Sequence, residues 1–169
     1  MGVANFFGTC LLIHSQQEII CAGSVLWDII GSADHLLSSK NDSPGRIERR
    51  PGGVSFNIGK QLAKNGMRPV MLTVISEDLE GKMLLAECEK FGLNMKFVTY
   101  SKTLPTDKYL AIEDESGLFA AVADARSLEL EGEKILRPLL DGRLGSIKRP
   151  FQKILVLDGN FTETQLQNI

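Results

Sequence analysis

The sequence is short of the residues that mark metal, disulfide or nucleic-acid proteins. It has three cysteines, Cys10, Cys21 and Cys88, and two histidines, His14 and His35. The cysteines are odd in number and lack C-x-x-C spacing, and neither histidine has companion cysteines at zinc spacing. A reduced, metal-free, cytoplasmic chain is the simplest account. There is no basic block: 19 Lys and Arg against 21 Asp and Glu leave a net charge of -2, which argues against a nucleic-acid partner. The early apolar run from Phe6 to Ile13 is too short to span a bilayer. It also lacks the basic flank and cleavage site of a signal peptide. The opening MGVANF fits a myristoylation start only superficially, because Phe6 stands where Ser or Thr is required. Residues 1–17 read as a tail or a misplaced gene start.

What is present is a globular composition, 43% hydrophobic and 24% charged over 169 residues, enough for one domain with a core. From Glu18 the run IICAGSVLWDIIG predicts one strand buried on both faces of a parallel sheet, with Asp28 at its carboxyl end. Residues 32–50 are polar and predict short exposed strands at most. Val54, Ile58 and Leu62 then recur at helical spacing, and Asn65-Gly66 ends that helix. PVMLTVI (69–75) predicts a second buried strand, and Ser76-Glu77-Asp78 a helix start ahead of Leu79, Met83, Leu84 and Cys88. The alternation is that of βαβ units. Residues 108–124 break it with a hairpin around Asp114-Glu115-Ser116-Gly117. A helix over 128–140, limited by Pro138, and a strand in KILVLDGN (153–160) complete the pattern.

The stretch RRPGGVSFNIGKQLAKNG (49–66) invites a phosphate-loop reading. Gly53 to Gly59 is one residue too long for a Walker A loop, Gln61 stands where Ser or Thr must be, and Gly59-Lys60 lies inside the helix. A dinucleotide fingerprint fails as well, since G-G-V-S-F-N is not G-x-G-x-x-G. What remains is Gly52-Gly53 at a helix N-terminus, where absent Cβ atoms and unpaired N–H groups let a ligand approach the backbone. Asn57 offers a donor and an acceptor one turn on, and Asp28 can accept two sugar hydroxyls. The alternative is structural: Pro-Gly-Gly as a turn, Asn57 as a solvated helix residue and Asp28 as a turn cap.

Three segments together resemble the PfkB, or ribokinase-like, family of carbohydrate and nucleoside kinases: SVLWDIIG, PGGVSFNIGKQLAKNG and VISEDLEGKMLLAECEKFGLN. Two more, PTDKYLAIEDESGLFAAVADARSLE and VLDGNFTE, resemble pseudouridine-kinase-like members. The resemblance covers residues 18–169. It implies an α/β fold, a doubly wound, mostly parallel sheet with helices on both faces and a small β-lid formed by residues 29–50 and 95–124. It assigns substrate binding to Asp28, Gly52, Gly53, Asn57 and Asn160, with Thr106 and Lys108 as further candidates. Leu26 departs from the family, which often has Asn or His there.

The family's G-A-G-D segment, with its base aspartate, most of its ATP site and its Mg²⁺-associated motif, does not occur in the sequence. The resemblance therefore implies the substrate-binding N-terminal half of an ATP-dependent sugar or nucleoside kinase, with pseudouridine as the leading substrate. ATP and Mg²⁺ would serve the full-length enzyme, and neither would be bound specifically by this chain, which is expected to be inactive alone. A homodimer through the lid is compatible with the family. A non-catalytic sugar-binding or regulatory module, or the product of a truncated gene, stands as the alternative.

Overall fold

The computed structural model describes residues 18–38, 41–167 and 169; the predicted tail, residues 1–17, lies outside the described residues. Its elements run β1 (Ile19–Ala22), β2 (Leu26–Ala33), β3 (Gly45–Gly52), α1 (Val54–Lys64), β4 (Val70–Leu72), β5 (Val74–Ser76), α2 (Leu79–Lys90), β6 (Thr99–Ser101), β7 (Lys108–Asp114), β8 (Gly117–Asp124), α3 (Arg126–Leu136), β9 (Ile154–Leu157) and α4 (Glu163–Gln167). A 3-10 turn over Arg137–Leu139 carries Pro138 near its start, so the proline marks the end of α3 as expected.

The core is a three-stranded parallel sheet in the order β4-β1-β9. Alternation along β1 explains its double burial. Ile19 and Cys21 join Phe56, Met71, Leu84 and Cys88 under α1 and α2, while Ile20 and Ala22 join Leu72, Leu128, Ile135 and Leu136 under α3. Helices therefore cover both faces, as expected for the α/β class. A two-stranded parallel sheet, β5-β6, follows β4.

The lid is a separate four-stranded sheet in the order β3-β2-β7-β8. β2 pairs antiparallel with β3 and parallel with β7, and β7 pairs antiparallel with β8. The predicted hairpin around Asp114-Glu115-Ser116-Gly117 forms β7 and β8. β3, expected to be short at most, is an eight-residue strand, exposed over its first six residues. Within the 95–124 lid segment, Thr99–Ser101 pairs instead with β5 in the body of the protein.

Two strand expectations are corrected. Glu18 to Gly31 is not a single strand: β1 ends at Ala22, the chain turns at Gly23, and β2 belongs to the lid sheet. Gly23 has φ 143°, a conformation L side chains rarely adopt, and its N–H bonds Leu72 O at 2.9 Å before the chain leaves the core sheet. Asp28 consequently sits inside a lid strand and not at the carboxyl end of a central strand. The run 69–75 divides in the same way at Thr73, into β4 and β5.

Candidate functional site

The start of α1 is built by Ser24, from the turn after β1. Gly53 holds φ 96° with no side-chain cap of its own, and a Cβ there would come within 2.5 Å of Ser24 O. Ser24 supplies the missing cap from a distance. Its Oγ accepts the Val54 N–H at 2.9 Å, and its carbonyl accepts the Phe56 N–H at 3.3 Å. This corrects the picture of unpaired amides facing outward, because two of the first helical donors already have protein partners. Asn57 is exposed one turn in, and its N–H bonds Gly53 O at 2.9 Å.

Asp28 lies directly against Gly52. A Cβ on Gly52 would overlap the Asp28 carboxylate, so the glycine is needed for close approach. The Asp28 side chain is 18% exposed, and Arg50 Nε stands 3.9 Å from its Oδ2. Burial pushes the Asp28 pKa above its ordinary value, with the Arg50 charge opposing the rise. The result is a half-sheltered carboxylate beside bare backbone, suited to accepting hydroxyl hydrogen bonds.

Asn160 follows β9 and reaches the same corner through Asp158. Its N–H and its Nδ2 both donate to Asp158 Oδ1, at 3.0 and 2.8 Å. Asp158 Oδ2 accepts from the Ser24 N–H at 2.9 Å and from the Ser24 hydroxyl. One Asn160 amide hydrogen is thus engaged, and its second amide hydrogen and its side-chain carbonyl are left for a ligand.

Thr106 and Lys108 sit elsewhere. The Thr106 hydroxyl and N–H both donate to Asp78, at 2.5 and 2.9 Å, where Asp78 caps α2 by accepting the Gly81 N–H at 2.7 Å. Lys108 Nζ stands 2.5 Å from Glu80 Oε2. Arg49 pairs with the same glutamate at 3.6 Å and lies over the Trp27 ring at 4.4 Å. The Trp27 indole donates to Glu80 O at 3.0 Å. These contacts fasten the lid strands to the start of α2 and engage both candidates in protein contacts.

Among the described residues no group of three or more His, Cys, Asp or Glu could hold a metal ion. The glycine-rich helix start that resembles a phosphate cradle has its Val54 and Phe56 amides bonded to Ser24. No helix of the described residues is long and apolar enough to cross a membrane.

Comparison with known proteins gives this geometry its family. The family description "pfkB family carbohydrate kinase" matches residues 16–139. The chain belongs to the PfkB family. It is 29% identical over 163 residues to a sugar kinase, YeiI, of Escherichia coli (strain K12), covering 95% of this chain and 43% of that protein. It is 27% identical over 163 residues to the pseudouridine kinase of the same organism, covering 91% of this chain and 48% of that one. The chain spans less than half the length of these PfkB relatives. Among solved structures, a carbohydrate kinase from Agrobacterium tumefaciens superposes with TM-score 0.71 at 22% identity, over 89% of this chain and 48% of that one. That likeness speaks for the fold.

Within this PfkB chain, the structure brings together Asp28 with Gly52, and Gly53 with Asn160 by way of Ser24 and Asp158. Thr106 and Lys108 are bonded into the lid's attachment instead. Sequence reasoning missed Ser24 and Asp158. The available signals were the Gly23-Ser24 pair directly after a buried apolar run, and Asp158-Gly159-Asn160, a turn-forming triplet at a strand end.

Proposed function

We propose that residues 18–169 form the substrate-binding part of an ATP-dependent PfkB kinase that phosphorylates a hydroxyl of a ribosyl-like substrate, with pseudouridine the leading candidate. The observation that carries the reading is the Asp28 carboxylate packed against Gly52 at the start of α1. In this reading Asp28 accepts two neighbouring sugar hydroxyls, Gly52 and Gly53 let the sugar lie against backbone, and Asn57 and Asn160 complete the polar rim. Likeness to the E. coli pseudouridine kinase supports the substrate class.

ATP as the donor is supported by the family and by a solved neighbour, a Xylella fastidiosa fructokinase with bound ATP. Proton removal from the attacking hydroxyl and stabilisation of the transferring phosphoryl group belong to the G-A-G-D part of the family, which is not in this sequence. This chain alone is therefore inactive; its residues bind and orient the acceptor. Cytoplasmic residence agrees with Cys21 and Cys88 being free thiols among the described residues. Lid pairing between two copies is supported by one apolar sheet face, where Ile47, Leu110, Ile112 and Val122 are 82%, 44%, 39% and 65% exposed.

A non-catalytic sugar-binding or regulatory module is the second reading, which the Asp28 carboxylate beside Gly52 would serve equally. The coding sequence beyond Ile169 separates the two. An in-frame continuation carrying G-A-G-D, with ADP formation on pseudouridine or another nucleoside or sugar in a panel, supports the kinase. A stop codon there, or no turnover on any compound of the panel, overturns it.

A further inference from the structure

We propose that Asp158 is a positioning residue for the substrate pocket, holding the Gly53 to Asn57 helix start in its binding geometry through Ser24. The inference deepens the sugar-binding reading and rests on it. Asp158 is 2% exposed, and its charge is met by hydrogen-bond donors from two directions. Oδ2 takes the Ser24 N–H and hydroxyl, while Oδ1 takes the N–H and the side-chain amide of Asn160. Its own N–H is anchored to Ala22 O at 2.9 Å. The carboxylate therefore ties the carboxyl end of β1 to the carboxyl end of β9, the side of an open α/β sheet on which ligands bind.

Ser24 passes this order on. Because its hydroxyl proton is committed to Asp158, a lone pair is fixed toward the Val54 N–H at 2.9 Å. Because its backbone is held by the same carboxylate, its carbonyl meets Phe56 N–H and abuts Gly53, where no side chain could fit. Gly23 completes the arrangement: a Cβ there would overlap Asp158 and lie 2.6 Å from Ser55 Oγ. Asp158 thus sets the backbone of the pocket without being placed to touch the sugar. An asparagine at 158 has the same shape but one acceptor oxygen, and its amide would face donors. It can serve Ser24 or Asn160 fully, but not both.

The test uses the 169-residue chain, isotopically labelled, with amide hydrogen exchange read residue by residue and pseudouridine as the titrated probe. Asp158→Asn is expected to speed exchange at both Val54 and Phe56 by about tenfold or more, the scale of one or two lost net hydrogen bonds. The amides of β1 and β4 should keep their protection. Ser24→Ala, the milder variant, should release Val54 and spare Phe56, which bonds the Ser24 backbone. In the Ser24→Ala background, Asp158→Asn should add nothing further at Val54. Pseudouridine affinity should fall by about tenfold in Asp158→Asn, following the same loss.

Unchanged exchange at Val54 and Phe56, uniform acceleration across all amides, or additive effects in the double variant would overturn the relay. A wild-type chain that fails to bind pseudouridine counts against the substrate reading, and the exchange rates still decide the relay by themselves.

Discussion

The Asp28 carboxylate occupies the space that a side chain on Gly52 would need. The two residues lie on paired strands, β2 and β3, in which Leu26 is the register partner of Gly52 and Asp28 that of Arg50. Placing a carboxylate over bare backbone, with Arg50 at its side, leaves its oxygens available to a ligand that approaches the helix start.

Gly52→Ala should therefore injure binding more than folding. Overpacking of this kind costs about 1–3 kcal/mol of stability, while displacement of Asp28 should abolish measurable binding of a sugar or nucleoside. A thermal melt paired with a pseudouridine titration checks both. Full affinity in the alanine variant would show that Asp28 does not depend on the glycine.

Asp78 links stability to pH. Burial pulls its pKa upward, but hydrogen bonds from the Thr106 hydroxyl and amide and from the Gly81 amide, with the Lys108 charge, outweigh this and leave it below the ordinary value. A depressed folded pKa stabilises the fold above the unfolded pKa of about 3.9 and loses that contribution as pH falls through the lower folded value. The stability gap between wild type and Asp78→Asn, which keeps an acceptor for the Gly81 N–H but turns its amide on the Thr106 N–H, should be about 1 kcal/mol near neutrality, the scale of one lost net hydrogen bond. Urea titrations from pH 7 down to pH 3 should show the gap closing at the acid end; a constant gap would contradict the linkage.

The thiols of Cys21 and Cys88 should be inert in the folded protein. Both are buried, and burial pushes Cys21 up to about 11 and Cys88 up to about 12, with Glu87 and Glu89 adding to the latter. Alkylation at pH 8 followed by peptide mapping should leave both unmodified until denaturant is added. Labelling of either in native protein would show that the core opens readily.

Trp27 reports on the lid's attachment. Arg49→Ala removes the guanidinium over its ring and, at about 0.5–1 kcal/mol for such a contact, should lower stability slightly. It should also move the emission of the single tryptophan to longer wavelength as water reaches the indole. An unchanged spectrum would mean that Arg49 does not shield the ring.

Much of this architecture was legible in local pattern, because helices and hairpins are written in short-range spacing. The phase of Val54, Ile58 and Leu62 located α1, although its buried residues are Ser55, Phe56 and Gly59. Asp78 announced α2, and Glu115-Ser116 the lid hairpin. The break at Gly23 was not legible, since an apolar run looks alike whether it stays in one sheet or passes to another. Nor was the Ser24–Asp158 contact, whose partners are 134 residues apart in sequence. Asp28 was singled out first from its expected place at the end of a central strand and then by family resemblance, and the first of these grounds fell, because its strand belongs to the lid sheet.

The most direct test is a residue-resolved NMR titration of the 169-residue chain with pseudouridine. Saturable shifts at Asp28, Gly52, Gly53, Asn57 and Asn160 are the predicted result. Shifts confined to the outer lid face around Ile47 and Leu110, or none at all with pseudouridine and the rest of the nucleoside and sugar panel, would contradict the account.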